Sequence, residues 1–424
     1  MRLRLLIAGL MGTVALVGPG LMPAGRDPSY PTGENQVPDT VAALMLFQGR
    51  ADQDPNAINL TLLAQLHVRR SRETGNVAEL ASAENAVRDA LAQQPSYGPA
   101  MLTLASVLAS QHRFDEALTT ARQAQQLDPR LGALGLIGDV LIATGDYEGA
   151  RDAYSQLASA GGSPGLRARW AHLDELEGDP EGAIRQTERA AAAALEQGGV
   201  GEEAAWYQVR LGDLNFTVGR LAESDRRYLA ALDLLPDYWP ALAGRGKVSA
   251  ARGDLAKAIE FYQSAAAKVP RPEVMIALGD LYTRIGELDL ARDSYATVEV
   301  ISQLSEGVYD RNLALYEAEH GNPERALVLA QRGLEERRDV YGYDTMAWAL
   351  YKSGRFAESR EAMNRALSLG TRDPHLLFHS GAISLALGDK SNAATDLAAA
   401  LALNPRFHPR YAAEAAEMLA EARS

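Results

Sequence analysis

Residues 275–295 read MIALGDLYTRIGELDLARDSY, and this stretch decides the fold. It is one helix, a turn at Gly286, and a second helix. Gly279 in the first helix and Ala291 in the second are small enough for two antiparallel helices to approach closely. Tyr282 and Tyr295 are large enough to fill the space left between one such pair and the next. Gly286 supplies the backbone freedom that the turn demands.

The same block recurs along the chain, as in HRFDEALTTARQAQQLDP (112–129), GDPEGAIRQTERAA (178–191), GDLAKAIEFYQSAAAKVP (253–270) and GRFAESREAMNRALSLG (354–370). Five places after each turn glycine, or after His112 in the first of these blocks, stands a small residue: Ala117, Ala150, Ala183, Ser224, Ala258, Ala291, Ala326, Ser359 and Ala393. Their separation is about 34 residues, apart from one longer interval that holds the Gly- and Glu-rich EQGGVGEE (196–203). No single copy can bury its own apolar face, so neighbours must stack into a superhelical solenoid.

These residues resemble the tetratricopeptide repeat family, whose pattern places Leu-Gly, Tyr, Gly, Ala, Tyr or Phe, Ala and Pro at fixed offsets. Leu278, Gly279, Tyr282, Gly286, Ala291 and Tyr295 fall on it, as do Gly246, Gly253, Ala258, Tyr262, Ala265 and Pro270 in the preceding copy. Leu211, Gly212, Gly219, Tyr228, Ala231 and Pro236 repeat the match, and a degenerate first copy ends at Ala83, Ala90 and Pro95. The resemblance implies an all-α fold, a right-handed α-solenoid of about ten helix-turn-helix repeats over 39–405. The copies lie near 56–97, 98–130, 131–163, 164–204, 205–238, 239–271, 272–306, 307–339, 340–373 and 374–405. Residues 39–54 read as a lone helix ahead of them, and 406–424 as a capping helix with apolar residues on one side.

Composition agrees with a large helical body. Of 424 residues 47% are hydrophobic, 23% charged and only 6% aromatic, with Ala and Leu abundant. The net charge of -13 argues against nucleic acid as a partner, because phosphate binding needs a basic face. Cysteine is absent, which excludes disulfides, thiol catalysis and Cys-based metal centres. At the N-terminus, Arg2 and Arg4 precede an apolar run from Leu5 to Met22, and Ala24 suits a cleavage site. Residues 1–24 therefore read as an export signal peptide or an uncleaved N-terminal anchor, followed by a disordered Pro-rich linker over 25–38. The body is expected in the periplasm, at the cell surface or secreted, with membrane contact only through the N-terminal segment if it stays uncleaved.

Motifs for chemistry are sparse. GGSPG (161–165) matches G-x-S-x-G, but a repeat helix precedes it where a hydrolase elbow needs a strand, so Ser163-Pro164 reads as a helix cap and first helical residue. GRGKVS (244–249) lacks the upstream Gly and the Ser or Thr directly after Lys247 that a phosphate loop requires. No catalytic residue, cofactor or metal site is assigned, and the chain reads as a non-enzyme.

In the family, residues 2, 5, 6, 9 and 12 of each first helix line the inner groove. By that resemblance the groove holds Arg210, Asp213, Lys247, Asp280 and Thr283, and further on a cluster of Arg311, Asn312, Tyr341, Asp344, Trp348, Tyr351, His375 and His379, with Phe378 beside the histidines. This mixture of Trp, Tyr, Arg and His over three adjacent copies is the composition favoured in binding surfaces. His375 and His379 have zinc-ligand spacing, but a metal would need a third ligand, and His408 lies past Pro405. They read as the polar rim of the groove, with Leu377 and Gly381 facing the core. The expected function is a non-enzymatic scaffold that binds a protein or peptide segment in its concave groove, within a bacterial envelope or secretion assembly. The alternative is a periplasmic or surface component of a polysaccharide-export or metal-handling system.

Overall fold

The structure, a computed structural model, describes residues 40–76, 78–129, 132–304 and 309–424. The expectations for residues 1–39, signal or anchor and linker, lie outside the described residues. Every regular element among the described residues is a helix. Those residues fall into two compact units: the residues up to 141 with 147–160 and 303–304, and all the others. None of the described helices is long and apolar enough to cross a membrane.

The first unit is built from α1 (Thr40–Gln53), α2 (Ala57–Thr74), α3 (Ala78–Gln93), α4 (Gly98–Ser110), α5 (Phe114–Leu127), α6 (Ala133–Ala143) and α7 (Tyr147–Ala160). The second contains α8 (Pro164–Leu176), α9 (Pro180–Glu196), α10 (Glu202–Thr217), α11 (Leu221–Leu234), α12 (Trp239–Arg252), α13 (Leu255–Lys268), α14 (Pro272–Ile285) and α15 (Leu288–Leu304). It continues through α16 (Asp310–His320), α17 (Pro323–Glu336), α18 (Val340–Lys352), α19 (Phe356–Ala366), α20 (Pro374–Ala386), α21 (Lys390–Leu403) and α22 (Tyr411–Arg423). Within each unit, successive helices such as α2 with α3, α4 with α5, α10 with α11 and α20 with α21 pack as hairpins, and neighbouring hairpins stack. The result is an all-α solenoid.

The turns follow from two adjacent residue types. A glycine in the left-handed region ends the first helix, and the Asp or Asn after it caps the second. Gly253 has φ 83°, and Asp254 accepts a hydrogen bond from the Lys257 amide. Asp179 and Asp389 do the same for the amides of Gly182 and Asn392. His112 holds the glycine position with φ 63°. Ser163 caps α8 by accepting from the Leu166 amide at 3.1 Å, with Pro164 in the first turn, so the G-x-S-x-G sequence is a helix start.

The small-residue column forms the closest contact between paired helices. Ala117, Ala150, Ala183, Ala258, Ala326 and Ala393 are wholly inaccessible, and Ala291 is 4% exposed. At the two serines the hydroxyl is satisfied internally. Ser224 donates to the Gly212 carbonyl at 2.8 Å and Ser359 to the Ala347 carbonyl at 2.7 Å. Glycines of the first helices serve a second purpose. A Cβ at Gly279 would lie 2.4 Å from the Tyr295 ring, and the ring's hydroxyl donates to Asp280 at 2.7 Å. Gly212, Asp213 and Tyr228 repeat this arrangement, and Gly244 of the next hairpin also meets the Tyr228 ring, where a Cβ would lie 2.4 Å away. The tyrosine therefore fills the space between hairpins and locks to the first helix by one hydrogen bond.

Ala291→Leu is expected to destabilise the protein by roughly 1–3 kcal/mol through overpacking of this column. Urea denaturation measures it; an unchanged midpoint would contradict the assigned register.

Within the second unit the chain also meets itself at long range. A Cβ at Gly178 would lie 2.3 Å from the Gly370 carbonyl, and the Thr371 hydroxyl donates to the Leu176 carbonyl. One hairpin further on, Asn404 Nδ2 donates to the Phe216 carbonyl at 2.6 Å, beside Gly219. The end of α8 thus touches the loop before α20, and the end of α10 touches the end of α21. These contacts join residues almost two hundred positions apart, so the second unit winds back onto itself.

Candidate functional site

Winding brings the first helices of successive hairpins around one cavity of about 770 Å³ inside the second unit. Its wall takes residues from α10, α12, α14, α16, α18 and α20, and from the segment that leads into α22. Seven of the eight clustered groove residues line it: Arg311, Asn312, Tyr341, Asp344, Trp348, His375 and His379. Lys247, Asp280 and Thr283, projected inward by the same register, line it too. Tyr351 does not; it stacks on Trp348 with ring centroids 4.8 Å apart.

Trp348 is the centre of this wall and is only 2% exposed. His379 stacks on it at 4.0 Å, and Lys352 Nζ sits 5.0 Å from its ring. Its indole Nε1 donates to Glu319 at 2.7 Å. His379 Nδ1 lies 2.8 Å from Asp344 Oδ1, which fixes the imidazole and occupies the carboxylate. Phe378 is fully buried and stacks on Tyr411 at 4.8 Å, so it belongs to the covered part of the inner face. Leu377, expected in the core, is half-buried, whereas Gly381 does face α21, where a Cβ would meet Leu397 at 2.6 Å.

On α16, Asn312 donates to Glu273 at 3.0 Å, and the Arg311 guanidinium lies 5.0 Å from the centre of the Tyr341 ring. Burial pushes the Tyr341 hydroxyl well above its ordinary range, so it is a neutral hydrogen-bonding group. His320 Nε2 approaches Asp280 at 3.0 Å, which also holds Tyr295. Lys247 pairs with Asp213 at 3.0 Å. The cavity's carboxylates are thus engaged by neighbours.

The sequence reading missed the segment ahead of α22. Residues 404–410 leave the last hairpin and pass across the inner face, placing Phe407, His408, Pro409, Arg410 and Tyr411 on the cavity. Arg284 of α14 donates to the Pro409 carbonyl at 3.0 Å, and Arg410 pairs with Glu319 of α16. Phe407 meets the edge of His375 at 5.0 Å, and His408 stacks on Tyr411 at 4.3 Å. His408 therefore comes within 5.7 Å of His375, ring centre to ring centre, although the sequence separates them by a proline turn. Among the described residues no three His, Asp or Glu side chains group as metal ligands. The available signal was FHPRY itself, apolar and aromatic where a solvent-facing linker would be polar.

Burial would raise the Glu319 carboxyl, but Lys352, Tyr411 and Arg410 outweigh it and hold it at about 2. Burial pushes His408 down to about 3 and lowers His375 as well, so both are neutral at pH 7. For His408 the folded value lies below the ordinary 6.5. Its contribution to stability is therefore complete above pH 6.5 and shrinks as pH falls towards 3, because the unfolded chain takes up the proton first. His408→Asn is expected to flatten the loss of stability in that window, by at most about 1.4 kcal/mol per pH unit. Superimposable pH profiles of urea midpoints for the two proteins would contradict this.

A family model described as a tetratricopeptide repeat-like domain matches residues 56–178. Another, described as a tetratricopeptide repeat, matches residues 209–271 and 345–409, and together the matches span more than half of the chain. A comparison with curated proteins finds no match. Among solved structures the chain is similar to yeast Tom70, at 13% identity over 91% of this chain and 92% of that one, with a TM-score of 0.38. It is also similar to a tetratricopeptide repeat protein from Parabacteroides merdae, at 19% identity over 62% of this chain and 99% of that one, with a TM-score of 0.36.

Proposed function

Because the chain belongs to the tetratricopeptide repeat family, whose hairpin arrays act as protein-interaction scaffolds, we propose that it holds a segment of a protein partner in the cavity of its second unit. The observation that carries this reading is the convergence of Arg311, Asn312, Tyr341, Asp344, Trp348, His375 and His379 on that one cavity. Aromatic surface supplies the affinity there, and the charged groups along it fix the orientation of the bound segment. The protein acts as a scaffold and not as an enzyme. It works outside the cytoplasm, in a bacterial envelope or secretion assembly, as Arg2, Arg4 and the apolar run from Leu5 to Met22 suggest.

A photo-reactive amino acid at Arg311, inside the cavity, should cross-link a protein partner in the native host. The same group at Val328, which is 66% exposed on α17 and absent from the cavity wall, should not. Equal trapping at both positions, or none at Arg311, would count against the reading. A reporter fused after residue 60 that is active only in the cytoplasm would sink the envelope location.

A volume of about 770 Å³ also falls in the size range of small-ligand pockets. That supports the second reading, a component of a polysaccharide-export or metal-handling system with a small ligand in the cavity. Failure to trap any protein at Arg311 would favour it.

A further inference from the structure

The segment that crosses the inner face offers information about what that face binds. Asn404 is fully buried and tied to Phe216, which fixes the point where the segment departs. Beyond it, residues 405–410 have no helical ladder, and they are held by the buried rings of Phe407 and Tyr411 and by a few polar contacts. Arg284 grips one backbone carbonyl, Arg410 reaches Glu319, and the rings of Phe407 and Tyr411 lie against His375 and Phe378. The Arg410 side chain is 43% exposed and that of Glu319 10%, so the ion pair is open to water at the arginine end. Glu319 would keep Trp348 and Lys352 as partners if Arg410 left.

We propose that residues 405–411, PRFHPRY, are an internal occupant of the partner groove, and that the external partner is a segment of the same chemistry, with a proline, an arginine for Glu319 and an aromatic ring for Phe378. This rests on the reading that the cavity is the partner site. The segment is a strap hinged at Asn404, and a partner binds by displacing it. The strap then covers the end of the groove around Glu319, Trp348 and His375 until a partner of sufficient local concentration competes. Charge agrees with this choice: Arg410 of the strap meets the Glu319 carboxylate, and the ring-on-ring contacts already formed show which surfaces accept an aromatic side chain.

The test uses the full chain and a fluorescent peptide of sequence PRFHPRY. Arg410→Ala combined with Tyr411→Ala loosens the strap and should bind the peptide about tenfold or more tighter than the wild type. Adding Glu319→Gln to that variant should remove about the same factor. Equal affinity for wild type and loosened chain, or no binding by a loosened chain, would overturn the proposal. Should the double variant not fold, Arg410→Ala alone decides by the same criterion. Excess peptide should also speed amide exchange at 406–411 of the wild-type chain while α16 stays protected; unchanged exchange despite bound peptide would overturn it. If Arg311 traps a partner while the strap proves fixed, the groove reading stands and this one falls. If the peptide exchanges with the strap while Arg311 traps nothing, the strap is displaceable but serves no protein partner, and both readings fall.

Discussion

Gly178→Ala should destabilise the protein by about 2–5 kcal/mol, far more than a surface turn substitution normally does. Two costs add. The residue has φ 82°, where a Cβ is unfavourable by about 1–2 kcal/mol. The new methyl would also sit 2.3 Å from the Gly370 carbonyl, a backbone atom that cannot swing aside. Gly253→Ala separates the two, since Gly253 has φ 83° but nothing within 4 Å of an added Cβ. Denaturant unfolding of both variants gives the difference directly. Equal losses would mean that the end of α8 does not rest on the loop before α20, and the closed winding of the second unit would be wrong.

Trp348→Ala should cost about 3–5 kcal/mol, the range for emptying a buried aromatic site. The indole is in contact with His379, Tyr351 and Phe378, and its removal leaves Glu319 without its Nε1 donor. Trp348→Phe keeps much of the packing and loses the hydrogen bond, so it should recover more than half of the loss. The consequence for function is separate from stability: the inner wall between α16 and α20 depends on this ring, and Trp348→Ala should abolish cross-linking from Arg311 even at temperatures where the chain stays folded. A variant that melts like the wild type would place Trp348 at the surface.

How far the sequence could be read depends on the distance over which each interaction acts. The small column from Ala117 to Ala393 and the Gly-Asp turns are local devices, set by neighbours a few residues away, so their spacing alone revealed the hairpin and its register. The same register aims Arg311, Asn312, Tyr341, Asp344, Trp348, His375 and His379 inward, because side-chain direction follows the helical period. It could not show what lies behind or above them. Tyr351 is drawn to the back of Trp348, and Phe378 disappears beneath Tyr411.

The superhelical stacking was legible, but the closure of the second unit onto itself was not, for a physical reason. Its contacts at Gly178, Leu176, Phe216 and Gly370 are made largely by backbone carbonyls, which leave no pattern of side chains to recognise. Asn404 and Thr371 look like ordinary turn residues until the groups they bond are known. The strap was hidden likewise, since FHPRY precedes a helix whose own pattern is that of a solvent cap. A cavity lined on one side by the strap is the structural consequence of these two features taken together.

The most direct test of that winding is covalent. A Cβ at Gly219 would lie 3.7 Å from the Asn404 Cβ, inside the range of about 3.5–4.5 Å that a disulfide requires. The chain has no cysteine of its own, so Gly219→Cys with Asn404→Cys introduces a single pair. Mild oxidation should yield a monomer that migrates faster on a non-reducing denaturing gel and returns to the normal position on reduction. A chain that stays reduced, or links only to other chains, would contradict the winding that brings α10 to the end of α21, and with it the cavity.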